Sequence, residues 1–257
     1  MGVTEGLLSF TLSTLHYSRM FKIYVGYALG WLWTSMLFVL KHKGTKLEAI
    51  QEDANTLNKI PLHIAILVNS REEQLNLDDL ARLVVWALAS GINTVSLYSP
   101  NDTLNEKLIT LRQCIVRHHQ VMFSPPVPLV EVTELPQLSA SKHGSCPGHT
   151  VLVLSPKDGR QRLTELARKL STSVLKRQIR VTDVDCHLLT DKLVLSSNIP
   201  DPDLALVCGG TSSTLGFPPW QLRLTEIQTL QGHGKVTYQD FFQSLQRFAK
   251  CQQRYGK

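Results

Sequence analysis

Pro200-Asp-Pro-Asp-Leu-Ala-Leu-Val-Cys-Gly-Gly210, followed by Phe217-Pro-Pro-Trp-Gln221, decides how this chain is read. Pro200 to Asp203 is a turn, since proline presets φ and aspartate bonds to nearby backbone. Leu204 to Cys208 is a short apolar strand, and Gly209-Gly210 turns the chain behind it. A strand running into glycines is where α/β proteins bring a phosphate against backbone N–H groups. Yet no Lys, Arg, Asp or Glu lies between Gly210 and Gln221. A phosphate, or Mg²⁺ carried on one, meets no charged partner in that turn. The stretch has the frame of a phosphate site without its charges. A last helix follows, and the chain closes on Arg254-Tyr-Gly-Lys257, an arginine followed closely by a permissive glycine.

Upstream, His63-Ile-Ala-Ile-Leu-Val-Asn69 is an apolar run of strand length, as expected of a strand buried on both faces. Leu80, Leu83, Val84, Ala87 and Leu88 recur at helical spacing and stop at Gly91. Ile92 to Tyr98 is predicted as a second strand, and Leu104, Leu108, Leu111 and Ile115 mark a second helix. Strand and helix in alternation predict a mostly parallel central sheet flanked by helices, an α/β fold. Gln120 to His149 holds five prolines and reads as a surface excursion. Its His143, Cys146 and His149 are three soft ligands where zinc normally takes four, so no metal site is assigned. Thr150 to Leu154 is the third predicted strand, and Leu163, Leu166, Ala167, Leu170 and Val174 mark the third helix. Asp183-Val-Asp185 is either an Asp-x-Asp pair or the acidic start of a helix over Val184 to Leu193, the reading preferred here. A further strand is expected through Leu222 to Ile227. Thr237-x-x-Asp240 is a capping-box start to the last helix, with Phe241, Leu245 and Phe248 on one face.

The chain has 257 residues, 27 of them basic and 21 acidic, for a net charge of +6. That balance suits a membrane surface or a phosphorylated ligand, and it is too diffuse to imply nucleic acid. Five scattered cysteines argue against a disulfide framework and for a reducing compartment. Ile23 to Leu40 carries no charge. At about 1.5 Å per residue it reaches roughly 27 Å, enough for a thin bilayer. Tyr24, Tyr27, Trp31 and Trp33 are interfacial anchors, and Lys41, Lys43 and Lys46 follow the span. The alternative is a buried core helix. Residues 1–43 are thus expected as a membrane anchor with a transmembrane helix over 23–40. Residues 44–59 follow as a linker or short helix, and 60–257 as the domain. The excess of lysine after the span favours a cytosolic C-terminal domain.

These residues carry a family resemblance. From Pro61 to Lys257 the chain resembles the cis-prenyltransferases, and among them the non-catalytic subunits of heteromeric enzymes. Four blocks carry it: His63 to Asn69; Gly91-Ile-Asn-Thr-Val-Ser-Leu-Tyr98; Asp203 through Phe217-Pro-Pro-Trp220-Gln221 to Glu226; and Arg254-Tyr-Gly256-Lys257.

Departures from the family pattern decide the expected function. Catalytic members follow the first strand with an Asp that holds Mg²⁺ on the allylic diphosphate; here the residue is Asn69, and Ser70 replaces the start of their phosphate loop. Catalytic members grip isopentenyl diphosphate with arginines around their Gly turn. Here the stretch reads Val207-Cys-Gly-Gly-Thr-Ser-Ser213, with Val207 and Ser213 in the arginine positions and Thr211 in the acidic one. Prenyl transfer must neutralise phosphate oxygens while diphosphate leaves an allylic carbon. Uncharged side chains do not supply that, so the subunit is expected to be inactive alone, with Mg²⁺ bound by the catalytic partner.

The tail points the other way. The resemblance implies that Arg254, Tyr255 and Gly256 cross into the partner's active site and help bind isopentenyl diphosphate, with Arg254 and Gly256 acting in trans. An arginine offers a planar cationic fork for phosphate. The resemblance also places Phe217 and Trp220 near the subunit interface. The expected function is therefore an activity-required subunit of a complex at the endoplasmic reticulum membrane. That complex would make dehydrodolichyl (polyprenyl) diphosphate for dolichol and protein glycosylation. The alternatives are a membrane receptor or scaffold that uses a degenerate prenyltransferase domain only for protein binding, and an active single-subunit enzyme, against which Asn69 and Val207 speak.

Overall fold

Strand β1, His63–Val68, lies inside a six-stranded sheet in which every pairing is parallel. The computed structural model describes residues 46–69, 75–123, 131–134, 149–193, 200–210 and 212–252. The other strands are β2 Thr94–Tyr98, β3 Glu131–Glu134, β4 Thr150–Leu154, β5 Leu204–Cys208 and β6 Glu226–Leu230, in the order β3-β4-β2-β1-β5-β6. The helices are α1 Leu47–Asn55, α2 Leu77–Ala89, α3 Thr103–Glu106, α4 Leu108–Met122, α5 Arg162–Leu175, α6 Cys186–Leu193 and α7 Tyr238–Lys250. The predicted mostly parallel sheet flanked by helices is the architecture found.

Both faces of the sheet are covered, which is why β1 reads as an unbroken apolar run. Ile64, Ile66 and Val68 point to the larger core, with Leu80, Val84, Leu88, Leu111, Ile115, Phe241, Leu245 and Phe248. Ala65 and Leu67 point to the opposite face, with Tyr98, Leu152, Leu154, Val207 and Phe217. Helix α7 shows its design most clearly. Thr237 accepts from the Asp240 amide and the Asp240 carboxylate accepts from Thr237, closing the capping box. The periodic Phe241, Leu245 and Phe248 are then buried, each worth about 1.5–3 kcal/mol.

Several boundaries differ from the sequence reading. Within the stretch 44–59, expected as a linker or short helix, Leu47–Asn55 form helix α1, and the compact unit begins at Lys46. Ile50 and Ala54 of α1 are buried, and Ile50 belongs to the larger core. Two apolar positions one turn apart in a polar segment are a weak signal, and tertiary packing decides. The Pro-rich excursion hides β3, which extends the sheet beside β4. The strand expected at Leu222 to Ile227 starts instead at Glu226, and the residues before it form turns. The helix expected from Val184 begins at Cys186, where Asp185 accepts from the Leu188 amide. Asp183 is occupied with Arg180, so the two carboxylates serve local capping.

Among the described residues no helix is long and apolar enough to cross a membrane. The expected span over 23–40 lies outside the described residues.

Candidate functional site

The Pro200 to Asp203 turn fastens β5 to β1. Asp203 Oδ2 accepts from the amides of Leu62 (2.7 Å) and His63 (3.3 Å), and the Asp203 amide donates to the His63 carbonyl at 2.9 Å. His63 is fully buried: one ring nitrogen donates to Pro200 O at 2.6 Å and the other accepts from Ser96 Oγ at 2.7 Å. Burial drives its pKa down to about 4, so the ring is neutral.

Register then sets the candidate site. Val68 pairs with Cys208, so Asn69 and Gly209 emerge side by side at the carboxyl ends of β1 and β5. Chain order reverses between these two strands, and open parallel sheets place ligands at that crevice. Asn69 is 7% exposed and its amide donates to Cys208 O at 3.3 Å. Gly209 holds φ +137°, a backbone angle that favours glycine. The two stretches chosen from the sequence are thus brought together, without a cation between Gly210 and Gln221.

The chain beyond the glycines folds back over the strand ends. Phe217 is 1% exposed and meets the Tyr98 ring edge-on at 5.5 Å. Tyr98 donates to Leu215 O at 3.2 Å, and Gly159 lies so close to Gly216 that a Cβ there would overlap its carbonyl. Phe217 is therefore packed in the core of the subunit, beside Tyr98 and Leu215. Trp220 differs. Its ring is partly exposed, Nε1 donates to Thr190 Oγ1 at 3.1 Å, and the Arg223 guanidinium stacks 4.7 Å from its centre. Gln221 Nε2 donates to Leu193 O at 2.6 Å, so the Trp-Gln pair fastens α6.

A second feature was not predicted. An open cleft of about 750 Å³ lies at the start of α2, lined by Leu75, Asn76, Leu77, Asp78, Asp79, Gly234 and Lys235. A helix start with spare N–H groups binds phosphate. Here those groups are occupied: Asn76 Oδ1 accepts from the amides of Asp78 (3.1 Å) and Asp79 (3.3 Å), while the Asn76 amide donates to His233 Nε2 at 2.9 Å. Asp78 pairs with Arg117 and His118, and the His118 hydrogen bond holds its carboxyl below the usual range. Asp79 pairs with Arg82. The cleft presents carboxylates and a capped helix, a poor cradle for diphosphate. Asn76 preceding an amphipathic run is a legible capping signal. The His233 contact, 157 residues away, is not.

Among the described residues no three His, Cys, Asp or Glu side chains gather as a metal-holding group. His149, from the excursion, pairs instead with His119 at 3.1 Å, and burial lowers the pKa of both. Arg254, Tyr255 and Gly256 lie outside the described residues, as do His143 and Cys146.

No protein-family model matches the chain. The fold is similar to that of lavandulyl diphosphate synthase from Lavandula x intermedia, solved with dimethylallyl diphosphate. The TM-score is 0.55 at 16% identity, covering 77% of this chain and 99% of that one. This is the fold of the cis-prenyltransferases, here with an uncharged turn at the strand ends.

In sequence, the chain is 35% identical over 206 residues to the dehydrodolichyl diphosphate synthase complex subunit Nus1 of Mus musculus, covering 80% of this chain and 69% of that protein. It is 34% identical over 218 residues to the Homo sapiens subunit NUS1, covering 80% and 70%. The chain belongs to this family of NUS1 subunits of the dehydrodolichyl diphosphate synthase complex.

Proposed function

We infer that the chain is the non-catalytic, activity-required subunit of a heteromeric cis-prenyltransferase. The complex adds isopentenyl diphosphate to an allylic diphosphate and makes dehydrodolichyl diphosphate for dolichol. One observation carries the reading. At the reversal between β1 and β5, Asn69 and Gly209 meet with no charged side chain from Gly210 to Gln221. Leaving-group chemistry on diphosphate needs preorganised positive charge, so the partner must supply the reaction centre and its Mg²⁺. The capped, acid-lined start of α2 supports the same division of labour.

In this reading the chain contributes Arg254, Tyr255 and Gly256 to the partner's active site, where the guanidinium holds isopentenyl diphosphate. The partly exposed Trp220 faces the partner. The segment over 23–40 anchors the complex in the endoplasmic reticulum membrane, with the C-terminal domain in the cytosol. The test is co-expression of the full chain with and without a catalytic cis-prenyltransferase subunit, followed by a prenyl-transfer assay. Activity only when both are present is expected. A partner equally active without this chain would leave a scaffold role and overturn the reading.

A further inference from the structure

Asp183-Val-Asp185 follows directly on a threonine. The connection between α5 and α6 reads Thr182-Asp-Val-Asp185, a hydroxyl with carboxylates one and three residues downstream. Helix α5 gives way where Arg177 takes φ +56°, a left-handed angle uncommon outside glycine. The chain then passes through a single helical turn, Val181–Asp183, to α6. None of residues 162–187 is buried, and Val181 is 72% exposed. Few packed contacts hold this connection, and such segments open at low free energy. Thr182 itself is exposed.

The local bonds converge on the two carboxylates. Asp183 Oδ2 accepts from the Arg180 amide at 3.0 Å, and Oδ1 accepts from the Arg180 guanidinium at 2.9 Å. The Thr182 side chain hydrogen-bonds to the same carboxylate. The Arg180 side-chain hydrogen bond, ahead of the others, holds the Asp183 carboxyl below its usual range, so it is charged at neutral pH. Asp185 accepts from the Leu188 amide at 2.8 Å and is exposed. Capping needs only an oxygen acceptor, which asparagine supplies as well as aspartate. The negative charge at both positions is therefore more than the turn and the start of α6 require.

We propose that Thr182 is a phosphoacceptor for an acidophilic serine/threonine kinase, and that its phosphate undoes the Val181–Asp183 turn. Kinases choose substrates by charge pattern, and a basic substrate groove fits a threonine with Asp183 and Asp185 behind it. In the step, Thr182 Oγ1 forms a bond to the γ-phosphorus of MgATP and the bond from that phosphorus to the ADP oxygen breaks. The hydroxyl proton passes to the kinase's catalytic carboxylate. The product carries a charge of about −1.5 to −2 at neutral pH. Asp183 then faces a like charge where a hydroxyl had bonded it. Arg180 turns to the phosphate, a strong charged acceptor for a guanidinium, and the Asp183 cap is lost. The site does not depend on the subunit's role in prenyl transfer.

The experiment treats the purified full chain with casein kinase 2 and γ-labelled MgATP, and maps the label by mass spectrometry. Label is expected at Thr182, retained in Thr182→Ser and absent from that position in Thr182→Val. Asp183→Asn and Asp185→Asn keep an oxygen acceptor at each cap, so their urea midpoints should stay near wild type. Each should slow labelling about tenfold or more, the worth of one charge-assisted hydrogen bond. In the labelled chain, hydrogen exchange of the Arg180 and Asp183 amides should speed up. Total labelling unchanged in Thr182→Val, or wild-type rates in both asparagine variants, overturns the site. Label that reaches Thr182 only after urea treatment also overturns it, because the folded chain would then not present the threonine. Unchanged exchange in a chain fully labelled at Thr182 overturns the loss of the turn.

Discussion

The Asn69 amide donates to the Cys208 carbonyl across 3.3 Å, tying the ends of β1 and β5 together where the fold would hold a phosphate. Neither side chain is charged. The purified chain with Mg²⁺ is expected to show no incorporation of labelled isopentenyl diphosphate. Asn69→Asp is expected to leave it silent, because one carboxylate cannot replace the cations missing at Val207 and Ser213. Turnover by the isolated chain beyond trace partner would sink the non-catalytic assignment.

Phe217 and Trp220 stand three residues apart in the sequence and should separate on mutation. Phe217→Ala empties a site packed against Tyr98 and should cost about 3–5 kcal/mol in urea unfolding. Trp220→Ala removes a partly exposed ring held by Thr190 and Arg223. It should leave the fold largely intact and weaken subunit association, read by sedimentation of the mixed subunits. Wild-type association in a folded Trp220→Ala chain would remove Trp220 from the interface.

At the tail, Arg254→Ala and Gly256→Ala should assemble normally, since the last packed turn ends at Cys251. One lost charge-assisted contact to phosphate costs about 1.5–3 kcal/mol, or roughly ten- to a hundredfold. The loss should fall on isopentenyl diphosphate rather than on the allylic primer. Arg254→Lys should recover part of it, because lysine lacks the planar fork. Steady-state kinetics varying each substrate in turn make the measurement.

His63 should make stability depend on pH. Its folded pKa is about 4 against 6.5 when free, so the unfolded chain binds the extra proton. The neutral ring's stabilisation is fully present above about pH 6.5 and is lost as pH falls toward 4. The full loss is on the order of 3 kcal/mol. His63→Gln should flatten that part of the urea-midpoint profile between pH 7 and 4. An unchanged slope would mean that His63 is not the group responsible.

Much of this was legible along the chain because it is local. Alternating apolar runs and amphipathic spacing gave the parallel α/β sheet, Thr237 and Asp240 gave the start of α7, and Asn69 and the Gly209 turn gave the uncharged strand ends. The sequence alone determined that no Lys or Arg lies between Gly210 and Gln221. Tertiary structure decided what depends on distance in space. It made residues 46–59 part of the core through Ile50 and drew β3 out of a Pro-rich stretch by pairing it with β4. It moved Phe217 inside and left Trp220 partly outside, although both sit in one apolar loop. It also joined Asn76 to His233 and Lys59 to Cys251 across 157 and 192 residues. Such contacts leave no periodic trace, since neither residue's neighbours in sequence reveal which distant backbone group will need a partner once the sheet has closed.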